Sequence, residues 1–190
     1  VGDIMETLDT HQPLENIARQ FLWGGYVQAD QSTHGNKTGV GKLRARSDLL
    51  GRFDALEVSS GQSFGLIEPF HLNIQERLSP EQLQGISVRN SEPTNSPAIL
   101  RNGTSAVSLL INTKNNEFQK ILFTGDATVH TFYALYQSKA LANSQNSIWT
   151  APHHGSYTTS KGSLYVEELK ADTDIFPFFL EEGNPGAIVM

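Results

Sequence analysis

The 190 residues include no cysteine. That excludes disulfides, thiolate metal sites and cysteine nucleophiles, so any metal must be held by His, Asp or Glu. Long apolar runs are also missing. The longest, around Ala106 to Ile111 and Ile175 to Leu180, have the length of strands, far below the ~18 consecutive apolar residues of a membrane-crossing helix. Basic charge is scarce: 14 Lys and Arg stand against 20 Asp and Glu, for a net charge of −6. Such a balance argues against a nonspecific nucleic-acid binder. Lys37, Lys42, Arg44, Arg46 and Arg52 form a local exception, diluted by Asp48 and Asp54, and read as a solvated loop. No targeting segment is visible, and a cytoplasmic location is the expectation.

What is present fits one globular domain over residues 1–190, with 38% hydrophobic residues and a mean hydropathy of −0.32. Leu14, Ile17, Ala18, Phe21 and Leu22 recur at helical spacing and predict a helix from Pro13 to Trp23, stopped by Gly24-Gly25. Asp30 to Gly41 reads as a loop. Its Gly35 to Lys42 stretch fails as a phosphate loop, because Leu43 stands where Ser or Thr must hold magnesium. Ala55 to Ser59 and Ser63 to Ile67, on either side of Gly61, predict a short hairpin, and Pro69 to Ile74 extends the sheet. Ser79 with Pro80 marks a helix start. Ser91 to Pro97 is a polar linker. Ala106 to Asn112 and Gln119 to Phe123 predict a second hairpin, followed by a helix carrying Val129, Phe132, Tyr133, Leu135 and Tyr136. Ser147 to Ala151 is a strand, Ser160 to Leu169 a helix and Ile175 to Leu180 a strand. The alternation indicates an α+β or α/β architecture.

Two strand ends carry the chemistry. The strand Lys120 to Phe123 runs into Thr124-Gly125-Asp126-Ala127, and the strand Ser147 to Ala151 runs into Pro152-His153-His154-Gly155-Ser156. Gly125 permits a sharp turn that lets the Asp126 carboxylate point across the strand end. Taken alone, Asp126 is as well read as the cap of the following helix. Adjacent histidines after an apolar strand point in different directions, so one of His153 and His154 can ligate a metal while the other packs or hydrogen-bonds beside it. His130, one turn past Asp126, reads either as a brace for the site or as a solvent-facing residue. His34 and His71 stand outside any motif and read as surface or internally satisfied residues.

The order Asn102 and Ser105, a hairpin, Thr-Gly-Asp, a helix, a strand and then Pro-His-His-Gly-Ser resembles the metallo-β-lactamase superfamily. The resemblance covers Asn102 to Leu169, about a third of the chain, and is closest to the branch related to the soluble domain of the DNA-uptake protein ComEC. It implies a four-layer αββα sandwich with a metal site at one edge of its two sheets. Asp126 matches the carboxylate that bridges two metals and is the implied catalytic residue. His153 or His154 matches a later ligand. Zinc is the implied metal, with manganese or iron in some branches. The implied activity is hydrolysis of a phosphodiester in nucleic acid or a nucleotide, or of another ester or amide, by a metal-bound hydroxide.

The family's main motif, His-x-His-x-Asp-His, is not intact. Its nearest counterpart is His11-Gln12-Pro13-Leu14-Glu15-Asn16, where Pro13 cannot ligate and Asn16 is a poor zinc ligand. No histidine follows His154; Asn184-Pro185-Gly186 stands where the family usually has one. Three expectations compete: a fragment with its first ligand half elsewhere, a metal held by fewer ligands, or a noncatalytic binding module with a degraded site and a protein partner near the Lys37 to Arg52 loop.

Overall fold

The computed structural model describes residues 20–23, 54–114, 119–156, 161–166 and 170–190, with the backbone alone described at 20–23, 54–57, 154 and 164–166. The chain divides into two compact units, and Ser59–Met190 makes up the body of the second.

In the first unit, β1 (Gln20–Trp23) pairs in parallel with β2 (Asp54–Glu57), with Phe21 opposite Ala55 and Leu22 opposite Leu56. The helix predicted through Trp23 is therefore strand over its last four residues. Phe, Leu and Trp in succession suit a pleated strand as well as a helix face, and the partner strand supplies main-chain bonds that outweigh local propensity. The remainder of that helix, the His11 to Asn16 segment, the Asp30 to Gly41 loop, His34 and the basic run from Lys37 to Arg52 lie outside the described residues.

The second unit is built on a mixed sheet of six strands: β3 (Ser63–Gly65), β4 (Phe70–Glu76), β5 (Val107–Asn112), β6 (Lys120–Phe123), β7 (Ile148–Thr150) and β10 (Ala187–Val189). Across the sheet the order is β10, β7, β6, β5, β4, β3. The first three are mutually parallel and the rest antiparallel. The hairpin expected across Gly61 does not form: Ala55 to Glu57 belongs to β2, and β3 turns back into β4 instead. That turn is closed by the Leu66 N–H on the Phe70 carbonyl at 3.0 Å and the Phe70 N–H on the Ile67 carbonyl at 2.9 Å. The second predicted hairpin is present, with Leu109 opposite Leu122.

Among the described residues, four α-helices accompany the sheet. Short α1 (Pro80–Gln84) starts as expected, with the Ser79 hydroxyl accepting from the Gln82 N–H and the Gln82 side chain accepting from the Ser79 N–H. The polar linker ends in an unforeseen helix, α2 (Pro97–Gly103), whose signal was present: Ser96 accepts from the Ile99 N–H, and Pro97 sits first, where a missing N–H costs nothing. Helix α3 (Val129–Gln137) follows Asp126 as predicted.

Two assignments are reversed. Ile175 to Leu180 is not a strand but the body of α4 (Ile175–Gly183). An apolar run of this length suits either form; Pro177 decides against an inner strand, yet is tolerated in a helix's first turn. Buried Ile175, Phe179 and Gly183 recur every four residues along one face. Ser160 to Leu169 is not a helix where described. Ser163–Val166 is β8, paired antiparallel with β9 (Ala171–Asp174). Its Leu-Tyr-Val stretch favours a strand once a hairpin partner is available.

Leu109, Leu122 and Trp149 lie in register across β5, β6 and β7 and are all buried. Val129, Phe132 and Leu135 of α3 pack with them, together with Ile175 and Phe179 of α4. Phe132 meets Phe176 edge-on at 5.5 Å between ring centres. On the opposite face of the same strands, Leu110 and Ile121 are half-buried and Ile148 is exposed. The layer of helices thus fixes β6 and β7 side by side with their carboxyl ends on one edge.

Candidate functional site

Because β6 and β7 are parallel neighbours, the Gly-Asp and His-His turns leave the sheet together. The carboxyl ends of adjacent parallel strands are a common place for ligand sites, since the following loops diverge there. The two turns are joined directly: the His153 N–H donates to the Gly125 carbonyl at 2.8 Å. The third segment of the pattern joins them. The Ser105 Oγ accepts from the Asp126 N–H at 3.2 Å, and the Ser105 N–H donates to the Asn102 carbonyl at 2.9 Å.

Gly125 takes φ +54°, and a Cβ there would stand 2.8 Å from the Ser105 Oγ. Both facts require glycine. Asp126 is exposed. It does not cap α3; that position belongs to Thr128, whose N–H donates to the Thr131 hydroxyl at 3.3 Å. The capping role expected of Asp126 is thus taken by another residue, and Asp126 is left at the strand end.

After β7, residues Pro152–Gly155 form one 3₁₀ turn. Half-buried His153 takes φ +45°, in the left-handed region that a histidine adopts at some strain. The Ser156 N–H closes the turn on the His153 carbonyl at 3.0 Å. On the outer side, the Ala151 N–H donates to the Val189 carbonyl of β10 at 2.8 Å, so this turn is tied to strands on both sides. The backbone of His154 lies in the same turn.

Beneath the turns lies a pair of threonines. The Thr124 N–H donates to the Thr150 Oγ1 at 2.9 Å, and the Thr124 hydroxyl donates to the Thr150 carbonyl at 2.7 Å. Thr150 was not singled out from the sequence. Its signal was a hydroxyl-bearing β-branched residue closing an otherwise apolar strand.

His130 is neither a brace for Asp126 nor a solvent-facing residue. It is 1% exposed. The Ser91 Oγ, whose proton goes to the Val88 carbonyl at 2.8 Å, accepts from the His130 Nε2–H at 3.3 Å. The Thr128 hydroxyl donates to Nδ1 at 3.4 Å. Both nitrogens of a neutral ring are thereby satisfied, and burial pushes the pKa down to about 4. His71 lies exposed on β4, as expected of a residue outside the motifs.

The donor chemistry at the strand ends, a carboxylate oxygen and imidazole nitrogen, is what zinc accepts. The backbones of the Asp126 turn and the His153–His154 turn are brought together, and Asp126 and His153 carry donor types that zinc accepts. Among the described residues no group of three or more His, Asp or Glu side chains gathers to hold a metal ion. No helix of the described residues is long and apolar enough to cross a membrane. No family model, curated protein or solved structure matches the chain.

Proposed function

We propose that the chain is a metal-dependent hydrolase of the metallo-β-lactamase type, built on an αββα sandwich and cleaving phosphodiester bonds in nucleic acid or a nucleotide. The observation that carries this reading is the bond from the His153 N–H to the Gly125 carbonyl at 2.8 Å. It joins the two turns whose residues resemble that superfamily's ligands. Asp126 and one or both of His153 and His154 would hold the metal, zinc first and manganese or iron as alternatives. A bound divalent ion supplies Lewis acidity, lowering the pKa of water to ~7 and polarising the scissile group. The chain's own contribution is positional. Gly125 and Ser105 hold the Asp126 backbone at the strand end, and the strained His153 turn is set against it.

The experiment is elemental analysis of the purified chain after zinc or manganese loading, with and without Asp126→Ala, alongside turnover of a simple phosphodiester. Stoichiometric metal lost in the variant is the expected result; a folded protein that takes up no metal in either form sinks the reading.

A second reading, a noncatalytic binding module on the same scaffold, draws on one observation. The described part of the site offers fewer side-chain ligands than the three protein ligands a catalytic zinc normally takes. It predicts a folded, metal-free chain without turnover.

A further inference from the structure

We propose that Thr150 is a positioning residue for this site, its hydroxyl holding the Asp126 and His153 turns in register where the sheet's own ladder has ended. The proposal rests on the reading of Asp126 and His153 as metal ligands.

The paired register of β6 and β7 runs through Ile121 with Ile148 and Leu122 with Trp149, and then stops. Just past the end of β6, the Thr124 N–H finds the Thr150 Oγ1 in place of a main-chain carbonyl. The Thr124 hydroxyl returns the bond to the Thr150 carbonyl. The two hydroxyls thus continue the cross-strand bonding past the last ladder pair without leaving these polar groups unpaired. Immediately beyond, the His153 N–H reaches the Gly125 carbonyl. The threonine pair is the step between the regular ladder and that bond.

The hydrogen accounting leaves little freedom. Thr124 is 0% exposed, so water does not replace a lost partner for its N–H or its hydroxyl. The Thr124 proton is committed to the Thr150 carbonyl at 2.7 Å. The Thr150 hydroxyl accepts from the Thr124 N–H and has its own proton for the Thr124 Oγ1 at 3.0 Å or the Leu122 carbonyl at 3.5 Å. The β-branch of threonine restricts χ1, which keeps the hydroxyl aimed across the strands. Valine keeps the shape and the strand preference but removes the hydroxyl. Serine keeps the hydroxyl and loosens its aim.

The test compares the wild type with Thr150→Val and Thr150→Ser. One readout is amide exchange at His153 against that of Leu109 in the sheet interior. The other is Co²⁺ affinity, followed by absorption. In Thr150→Val the His153 amide is expected to exchange about tenfold faster relative to Leu109, and Co²⁺ to bind roughly ten- to a hundredfold more weakly. Thr150→Ser is expected to recover most of both. Unchanged relative exchange at His153 overturns the hydroxyl lock. Faster exchange with unaltered Co²⁺ affinity overturns its positioning role. A wild type that binds no Co²⁺ overturns the metal reading, and the exchange comparison then decides the lock by itself. Should Thr150→Val not fold, Thr150→Ala removes the same hydroxyl with less bulk and is judged by the same readouts.

Discussion

Trp149 packs so closely on Gly183 that a Cβ on the glycine would overlap the indole Cη2. The indole N–H also donates to the Ser144 carbonyl at 3.2 Å. Strand β7 is thus clamped against the last turn of α4 one residue before Thr150, where the candidate site begins.

Gly183→Ala forces either the indole or the end of α4 to move, and neither has free space in a packed interior. The expected loss of stability is about 2–3 kcal/mol, read as a lower urea midpoint with an unchanged slope. A shift in tryptophan emission should accompany it. Stability within about 0.5 kcal/mol of the wild type would show that the two elements do not pack as described.

Gly125→Ala carries two penalties that can be separated. A non-glycine residue at φ +54° is disfavoured by ~1–2 kcal/mol. In addition, its Cβ meets the Ser105 Oγ at 2.8 Å, whereas the Ser105 Cβ is 4.0 Å away. Ser105→Ala removes the clashing oxygen and, with it, the acceptor for the Asp126 N–H. The double variant should therefore be more stable than the sum of the two single losses indicates, by about 0.5–1.5 kcal/mol in a double-mutant cycle. Additive losses would mean that Ser105 does not abut Gly125.

His130 makes stability depend on pH in a defined direction. Its folded-state pKa of about 4 lies below the ordinary 6.5, so between these values the unfolded chain binds more protons than the folded one. The stability due to the neutral ring is complete above pH 6.5 and is lost as pH falls through 4. The full difference is roughly 3 kcal/mol. Denaturation curves at pH 7.5 and pH 4.5 should show most of this loss in the wild type. His130→Gln should lack that component, whatever its absolute stability. Equal pH slopes in the two proteins would rule out a neutral buried ring.

Much of this unit could be read directly from its residues. Lys120 to Phe123 reads as a strand because four residues between a polar turn and a glycine leave little choice, and α3 reads as a helix because Val129, Phe132 and Leu135 repeat at its period. The joining of the Gly125 and His153 turns followed from two similar strand ends, which β6 and β7 place side by side. What escaped depended on partners. Ile175 to Leu180 has an apolar residue at nearly every position, so periodicity is silent until α3 and the sheet select one face. Ser163 to Val166 becomes a strand because Ala171 to Asp174 lies beside it. His130 carries no local mark of burial: Ser91, 39 residues earlier, supplies the partner for its Nε2. Thr150 matters only through Thr124, a relation between strands that neither strand displays alone.

Thr124 and Thr150 are 26 residues apart in the chain, with α3 folded over the sheet between them. Bringing two such distant points together carries a loop-closure entropy on the order of 3 kcal/mol. That cost is met once, when Phe132 and Leu135 enter the core. The Gly125 and His153 turns are therefore gathered by folding alone, and none of the binding energy of the proposed metal would go into assembling them.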